Sequence, residues 1–184
     1  PLLASARNNL ATILKSQGKY DEAGEMYTQA LVLSEKALGS DHPDLGVILN
    51  NLGEVQRAQK KYDKAAELFL RAQTLVEKGV GPDHPRVALI INNRASLEQT
   101  QGHLEAAGNL FAKALDILEK SGRSDDPNYL LTLSNLAECY RAQGQAELAE
   151  PLFKKTIALT EKSVGPDHPK IALLYNNLGQ LYAG

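Results

Sequence analysis

The sequence predicts an all-α fold, a solenoid of stacked helix pairs, and three observations carry that prediction. Residues recur at a step of 42: Asn9, Asn51, Asn93, Asn135 and Asn177 form one column, and Pro43, Pro85, Pro127 and Pro169 a second. Ala23, Ala65, Ala107 and Ala149 form a third in the same register, and such a period is the mark of a repeat architecture. Aromatic residues make up only 5% of the chain with no Trp, so the interior is built mostly from Leu and Ala. The 184 residues hold one array of four units, about 1–42, 43–84, 85–126 and 127–168, and the opening of a fifth at 169–184. The chain reads as a fragment of a longer protein.

Each unit divides into two helices, which gives nine in all. In the second unit the first helix runs from Pro43 to about Gln59 and the second from about Asp63 to Lys78. Proline suits a first helical turn, where its missing N–H would have no intrahelical partner. The residue before it (His42, His84, Asp126 or His168) is pushed out of the α region and is expected to cap the helix. Asp41, Asp83, Asp125 and Asp167 place negative charge at the positive end of the helix dipole. Gly18, Gly102 and Gly144 supply the left-handed residue that closes each first helix, and Lys60 must do so without glycine's freedom. Gly39, Gly81 and Gly165 close the second helices, and Pro151 lies inside the fourth unit's second helix.

Composition excludes several classes. Net charge is −2, from 20 basic and 22 acidic residues, which leaves no footprint for nucleic acid. No apolar run approaches the roughly 20 residues that a membrane-spanning helix needs. A single cysteine, Cys139, cannot form an internal disulfide and falls on an inward arc as a small buried hydrophobe, so a cytoplasmic location is expected. His42, His84 and His168 share a register, but neighbouring units lie about 10 Å apart while zinc ligands sit within ~2.1 Å of the ion. His103 stands in a turn with no evident partner. There is no phosphate loop, nucleophile elbow or paired metal-ligand motif, so no catalytic residue, metal or cofactor is expected.

At about 100° per residue, Ile48, Leu49, Leu52, Gly53 and Val55 share an inward arc, matched in the first unit by Ala6, Arg7, Leu10, Ala11, Ile13 and Leu14. The opposite arc of the first helices is covered by no neighbour and lines up from unit to unit as an elongated concave groove. Arg94 breaks the column of Leu10, Leu52, Leu136 and Leu178, and Glu98 follows one turn later. An isolated buried charge costs several kcal/mol, so these two are expected to pair with each other or with an adjacent helix.

Gln17-Gly18-Lys19-Tyr20-Asp21-Glu22-Ala23, followed by Tyr27, Ala30-Leu31 and Leu33, resembles the tetratricopeptide repeat. The 42-residue period, the Asn8-Asn9-Leu10 opening and the Gly81-Pro82-Asp83-His84-Pro85 linker resemble the kinesin light chain type. The resemblance implies a right-handed superhelical solenoid of helix-turn-helix repeats that binds protein partners without catalysis. Related grooves that clamp acidic chaperone tails carry lysine where this chain has Asn8, Asn50 and Asn92, so that ligand is not implied.

The expected function is therefore a scaffold that takes an extended peptide of a partner protein in its concave groove. The central units are favoured because each has neighbours on both sides. Asn51, Asn93 and Asn135 sit at the groove's edge, where each amide either braces the next helix or binds peptide backbone. Asn50 and Asn92 fall nearer the groove centre, with no packing role in view. Specificity belongs to columns that vary: Glu54, Ser96 and Glu138, with Thr12 and Gln180, and Arg57, Gln99 and Arg141, with Lys15 and Ala183. Glu54 with Arg57 and Glu138 with Arg141 stand three apart and are placed to pair. Val47, Leu89, Leu131 and Leu173 form an apolar column that either contacts ligand or packs on the preceding helix. The alternative is a structural spacer or a self-assembling module, with end-to-end association possible at its open ends.

Overall fold

The computed structural model describes residues 2–123, 126–166 and 168–183. Nine helices follow one another among them: α1 (Leu2–Ser16), α2 (Tyr20–Leu38), α3 (Leu45–Ala58), α4 (Tyr62–Val80), α5 (Pro85–Thr100), α6 (Leu104–Lys120), α7 (Pro127–Ala142), α8 (Ala146–Val164) and α9 (Pro169–Ala183). Each odd-numbered helix packs on the even-numbered helix of its own unit, where it has one, and on that of the unit before. The odd-numbered helices also touch directly, α1 with α3, α3 with α5 and α5 with α7. A stack whose one row is in mutual contact curves toward that row, which makes the odd-numbered helices the inner face. The dipole roles expected of Asp125 and Asp167, and the side chain of Ala183, lie outside the described residues.

Local chemistry sets the helix ends. The Nδ1 of His84 accepts the Arg86 N–H at 3.1 Å, that of His168 the Lys170 N–H at 3.2 Å, and Oδ1 of Asp126 the Asn128 N–H at 2.8 Å. Each satisfies an amide that the helix itself cannot. His42 does the same for Asp44 at 3.2 Å, but α3 begins two residues after its proline. There Leu45 and Gly46 donate to the carbonyls three residues back, at 3.1 and 3.0 Å, a tighter opening turn. Gly18, Gly102 and Gly144 take φ of 75°, 83° and 73°, and Lys60 is held at 61° in the same place. Pro151 lies within α8 and is exposed.

One aromatic column runs through the core, joined in the fourth unit by a second buried ring, Tyr129. Tyr27, Phe69, Phe111 and Phe153 are fully buried, as is the alanine column Ala23, Ala65, Ala107 and Ala149, whose small side chains let the helices close. Gly53 belongs to the same economy of space: a Cβ there would come 2.7 Å from Cε1 of Phe69. Tyr27 differs from its three counterparts by a hydroxyl, which meets Oγ1 of Thr12 at 2.9 Å. The inward arc of α3 is buried as read. On α1 the reading fails, because Leu10 and Ile13 remain 46% and 54% exposed on a helix with a packed pair on one side only.

The two misplaced charges are accommodated separately. Arg94 donates to Oε1 of Gln73 on α4, and Nε2 of Gln73 donates to Glu77 at 2.6 Å. Glu98 instead meets Nδ1 of His103 at 2.8 Å, so the turn histidine has a partner that the sequence did not suggest. No helix among the described residues is long and apolar enough to cross a membrane.

Candidate functional site

The inner face is built from columns that repeat along α1, α3, α5, α7 and α9. Val47, Leu89, Leu131 and Leu173 are 47%, 37%, 50% and 61% exposed, while their neighbours Ile48, Leu49, Ile90 and Ile91 are buried. The apolar column is thus an exposed stripe and does not pack away. One turn on, Asn51, Asn93 and Asn135 are half-buried, and Glu54, Ser96 and Glu138 follow in the next turn. Arg57, Gln99 and Arg141, also half-buried, form the column beyond them.

Asn50 and Asn92 correct the sequence reading. They are 5% and 4% exposed, and each bonds to the next unit. Asn93 donates from Nδ2 to Oδ1 of Asn50 at 2.9 Å, and Asn135 donates to Oδ1 of Asn92 at 3.3 Å. The cause is rotational. The open arc of α3 centres on Val47, Asn51 and Glu54, so Asn50, about 100° round from Asn51, turns toward α5. An amide has two N–H donors and an oxygen with two lone pairs, so one such bond leaves Asn93 and Asn135 a donor and an acceptor each. The same register step would join Asn8 to Asn51, but there the ladder is open: Oδ1 of Asn8 is buried with no hydrogen-bond partner.

The charges also pair differently from the sequence expectation. Glu138 takes Nε and Nη2 of Arg141 at 2.9 and 2.7 Å, as the spacing suggested. Glu54 takes Lys15 of α1 at 2.7 Å and not Arg57. Arg57 comes one unit after Lys15, and the residue in its register that would answer Glu54 is Ser96, which has no carboxylate. Ser96 spends its hydroxyl proton on the Asn92 carbonyl at 3.0 Å. Arg57 accordingly has no ion pair among the described residues, and its Nε is buried without a partner.

Between successive inner helices the face opens into clefts of unequal size. A cleft of about 320 Å³ lies between α1 and α3, lined by Ala4, Ser5, Asn8, Ser34, Val47 and Ile48 among others. The cleft between α3 and α5 measures about 70 Å³, and that between α7 and α9 about 450 Å³. The second helices set these sizes through one column, Ser34, Val76, Leu118 and Thr160. Val76 fills its cleft, while Ser34 and Thr160 leave theirs open. Of these three clefts the narrowest lies between the second and third units, in the region that the sequence reading favoured. The column was visible in the sequence as a 42-step series, polar at its two ends (Ser34 and Thr160) and apolar between them (Val76 and Leu118).

Cys139 is fully buried behind this face. Its Sγ donates to the Leu104 carbonyl at 3.2 Å, and burial pushes the thiol above its ordinary range. No group of three or more His, Cys, Asp or Glu among the described residues is arranged to hold a metal ion.

The tetratricopeptide repeat model matches residues 2–78, 57–120 and 128–184, nearly the whole chain. The chain belongs to the tetratricopeptide repeat family. This tetratricopeptide repeat array superposes on the nearly identical TPR-like repeats of a Podosopora anserina protein classed as a kinesin light chain. The TM-score is 0.81 at 25% identity, over 97% of this chain and 85% of that one. A Q17M variant of the same protein gives 0.81 at 24%, over 97% and 84%. BtubC (BKLC) from P. vanneervenii gives 0.81 at 22%, over 95% of this chain and 69% of that one. Among curated proteins, none matches this sequence. The all-helical repeat solenoid expected from the residues is thus the fold observed, and it is the kinesin light chain-like form of the repeat.

Proposed function

We propose that this array is a non-catalytic, cytoplasmic scaffold that binds an extended peptide segment of a partner protein along its inner helical face. The observation that carries the reading is the exposed apolar column Val47, Leu89, Leu131 and Leu173, which recurs beside half-buried amides on a face no helix covers. Exposed apolar residues in line, flanked by oriented polar groups, are what an extended chain needs for alternate side chains and for its backbone. Asn51, Asn93 and Asn135 capture that backbone. Asn50 and Asn92 act as positioning residues, because each fixes the amide plane of the asparagine one unit on. Gln99 and Arg141, with Glu54, Ser96 and Glu138, read side chains, and the Glu138 carboxylate offsets the charge of Arg141 in an ion pair.

The test is selection of a phage-displayed random dodecapeptide library on the wild-type array, followed by binding to two charge-insertion variants. Leu89→Arg puts a cation on the inner face, and Leu70→Arg puts one on the outer face, where Leu70 is 55% exposed. Selected peptides should lose binding to Leu89→Arg and keep it with Leu70→Arg. The opposite pattern would place the docking surface on the second helices.

A further inference from the structure

The joint between the second and third units is built differently from the others. Where a first helix packs on the second helix of the unit before, two columns set 21 residues apart come together. They pair Leu31 with Leu52, Gln73 with Arg94, Leu115 with Leu136 and Ile157 with Leu178. Leu31 and Leu52 lie in one apolar cluster and Ile157 and Leu178 in another, and Leu115 packs against the cluster that holds Leu136. At α4–α5 alone the pair is polar. Buried Gln73 accepts the half-buried Arg94 guanidinium at Oε1 and donates from Nε2 to Glu77 at 2.6 Å. The outer face carries the same exception. In the column Glu35, Glu77, Glu119 and Glu161, Glu35 takes Arg71 at 2.6 Å and Glu119 takes Lys155 at 3.0 Å, each partner 36 residues on. Glu77 turns to Gln73 instead, and Lys113, which stands 36 residues after it, has no ion pair among the described residues.

We infer that Gln73 and Arg94 are the address of this joint: they make α4 the one second helix that α5 accepts as its preceding neighbour. The units share one pattern, and stacking in the wrong order is a characteristic failure of repeat proteins. On α2, α6 or α8, of this chain or of another copy, Arg94 would meet Leu31, Leu115 or Ile157. None of these offers an acceptor, so a charge would be buried alone. Gln73 set against Leu52, Leu136 or Leu178 would likewise leave its amide without a partner. The three apolar joints impose no such choice, because aliphatic side chains of similar volume replace one another at little cost. A polar contact in an apolar seam fixes register and partner at some expense of stability, since an apolar pair of the same shape buries no polar atom. The inference is independent of what the inner face binds.

The experiment separates order from stability in the full array carrying both Gln73→Leu and Arg94→Leu. Unfolded in urea from the purified native monomer, this double variant should keep or raise the wild-type midpoint, followed by circular dichroism. Returned from urea by rapid dilution, it should recover at most about half as much monomer as the wild type. The remainder should run as misordered or associated species in size-exclusion chromatography with light scattering. Leu31→Met with Leu52→Met, which keeps the volume of an apolar joint, should refold as the wild type does. Adding Leu115→Gln and Leu136→Arg to the double variant moves the polar pair to the next joint, where Glu119 stands in the place of Glu77, and should restore monomer recovery. Full recovery by the double variant would overturn the address, and a lowered midpoint would make the pair an ordinary stabilising bond. An equal loss in the methionine control, or no gain from the transplanted pair, would overturn it as well.

Discussion

Changing Asn50 and Asn93 to alanine, singly and together, measures the amide ladder. Asn93→Ala strands the buried Oδ1 of Asn50 without its 2.9 Å donor, which costs about 1–3 kcal/mol. Asn50→Ala removes the acceptor, but Asn93 is half-buried and water can take over its N–H, so the loss is nearer the ~0.5–1.5 kcal/mol of one neutral hydrogen bond. With both removed no polar atom is stranded, and the double variant should lose about 0.5–1.5 kcal/mol less than the sum of the singles. Asn8→Ala is the control: its Oδ1 has no partner to lose, so stability holds or rises. Urea unfolding followed by circular dichroism, fitted with nearest-neighbour coupling between repeats, supplies the numbers. In a chain of this size each kcal/mol also moves Tm by about 2–4 °C. Single effects that add to within ~0.5 kcal/mol would refute the ladder. The same reasoning applies to the pair Asn50→Ala with Asn92→Ala. Read from the sequence as groove residues, these two could be changed without cost; in the structure, changing them lowers Tm.

Four further outcomes follow from backbone and packing. Lys60→Gly should stabilise the array by about 1 kcal/mol in the same urea assay, because a side chain at φ 61° carries a strain that glycine lacks. Gly79→Ala should destabilise by about 1–3 kcal/mol, since its Cβ would fall 2.1 Å from Cγ of Pro43. Gly24→Ala meets nothing nearer than 3.5 Å and should gain about 0.5–1 kcal/mol of helix propensity, so equal effects at the two sites would contradict this packing. Cys139, buried and with its thiol pushed up, should react with Ellman's reagent at pH 8 only on unfolding. A native rate equal to the rate in urea would place it at the surface.

The period, the helix pairs and their caps were legible because they depend on residues close in sequence. Proline with its preceding histidine or aspartate fixes a helix start, and a left-handed glycine fixes an end. The roles of Asn50 and Asn51 were exchanged for a different reason. A helical wheel separates apolar from polar arcs, but both residues are polar, and only the position of α5 decides which one is covered. Glu54 posed the same problem. Arg57 stands three residues away on its own helix, yet Lys15, 39 residues earlier, is the partner, because the register between neighbouring inner helices brings it nearer. The unequal clefts lay in a column on the second helices, away from the face under consideration, where Ser34 and Thr160 look like ordinary substitutions for Val76 and Leu118.

The most direct measurement of the central claim is photo-crosslinking of a selected peptide carrying benzoylphenylalanine at successive positions, with adducts located by mass spectrometry. Binding along the inner face predicts adducts in α1, α3, α5 and α7, concentrated around Val47, Leu89 and Leu131, and shifting from one helix to the next as the label moves along the peptide. Adducts gathered instead around the exposed outer residues Val32, Leu70 and Leu148 would contradict it.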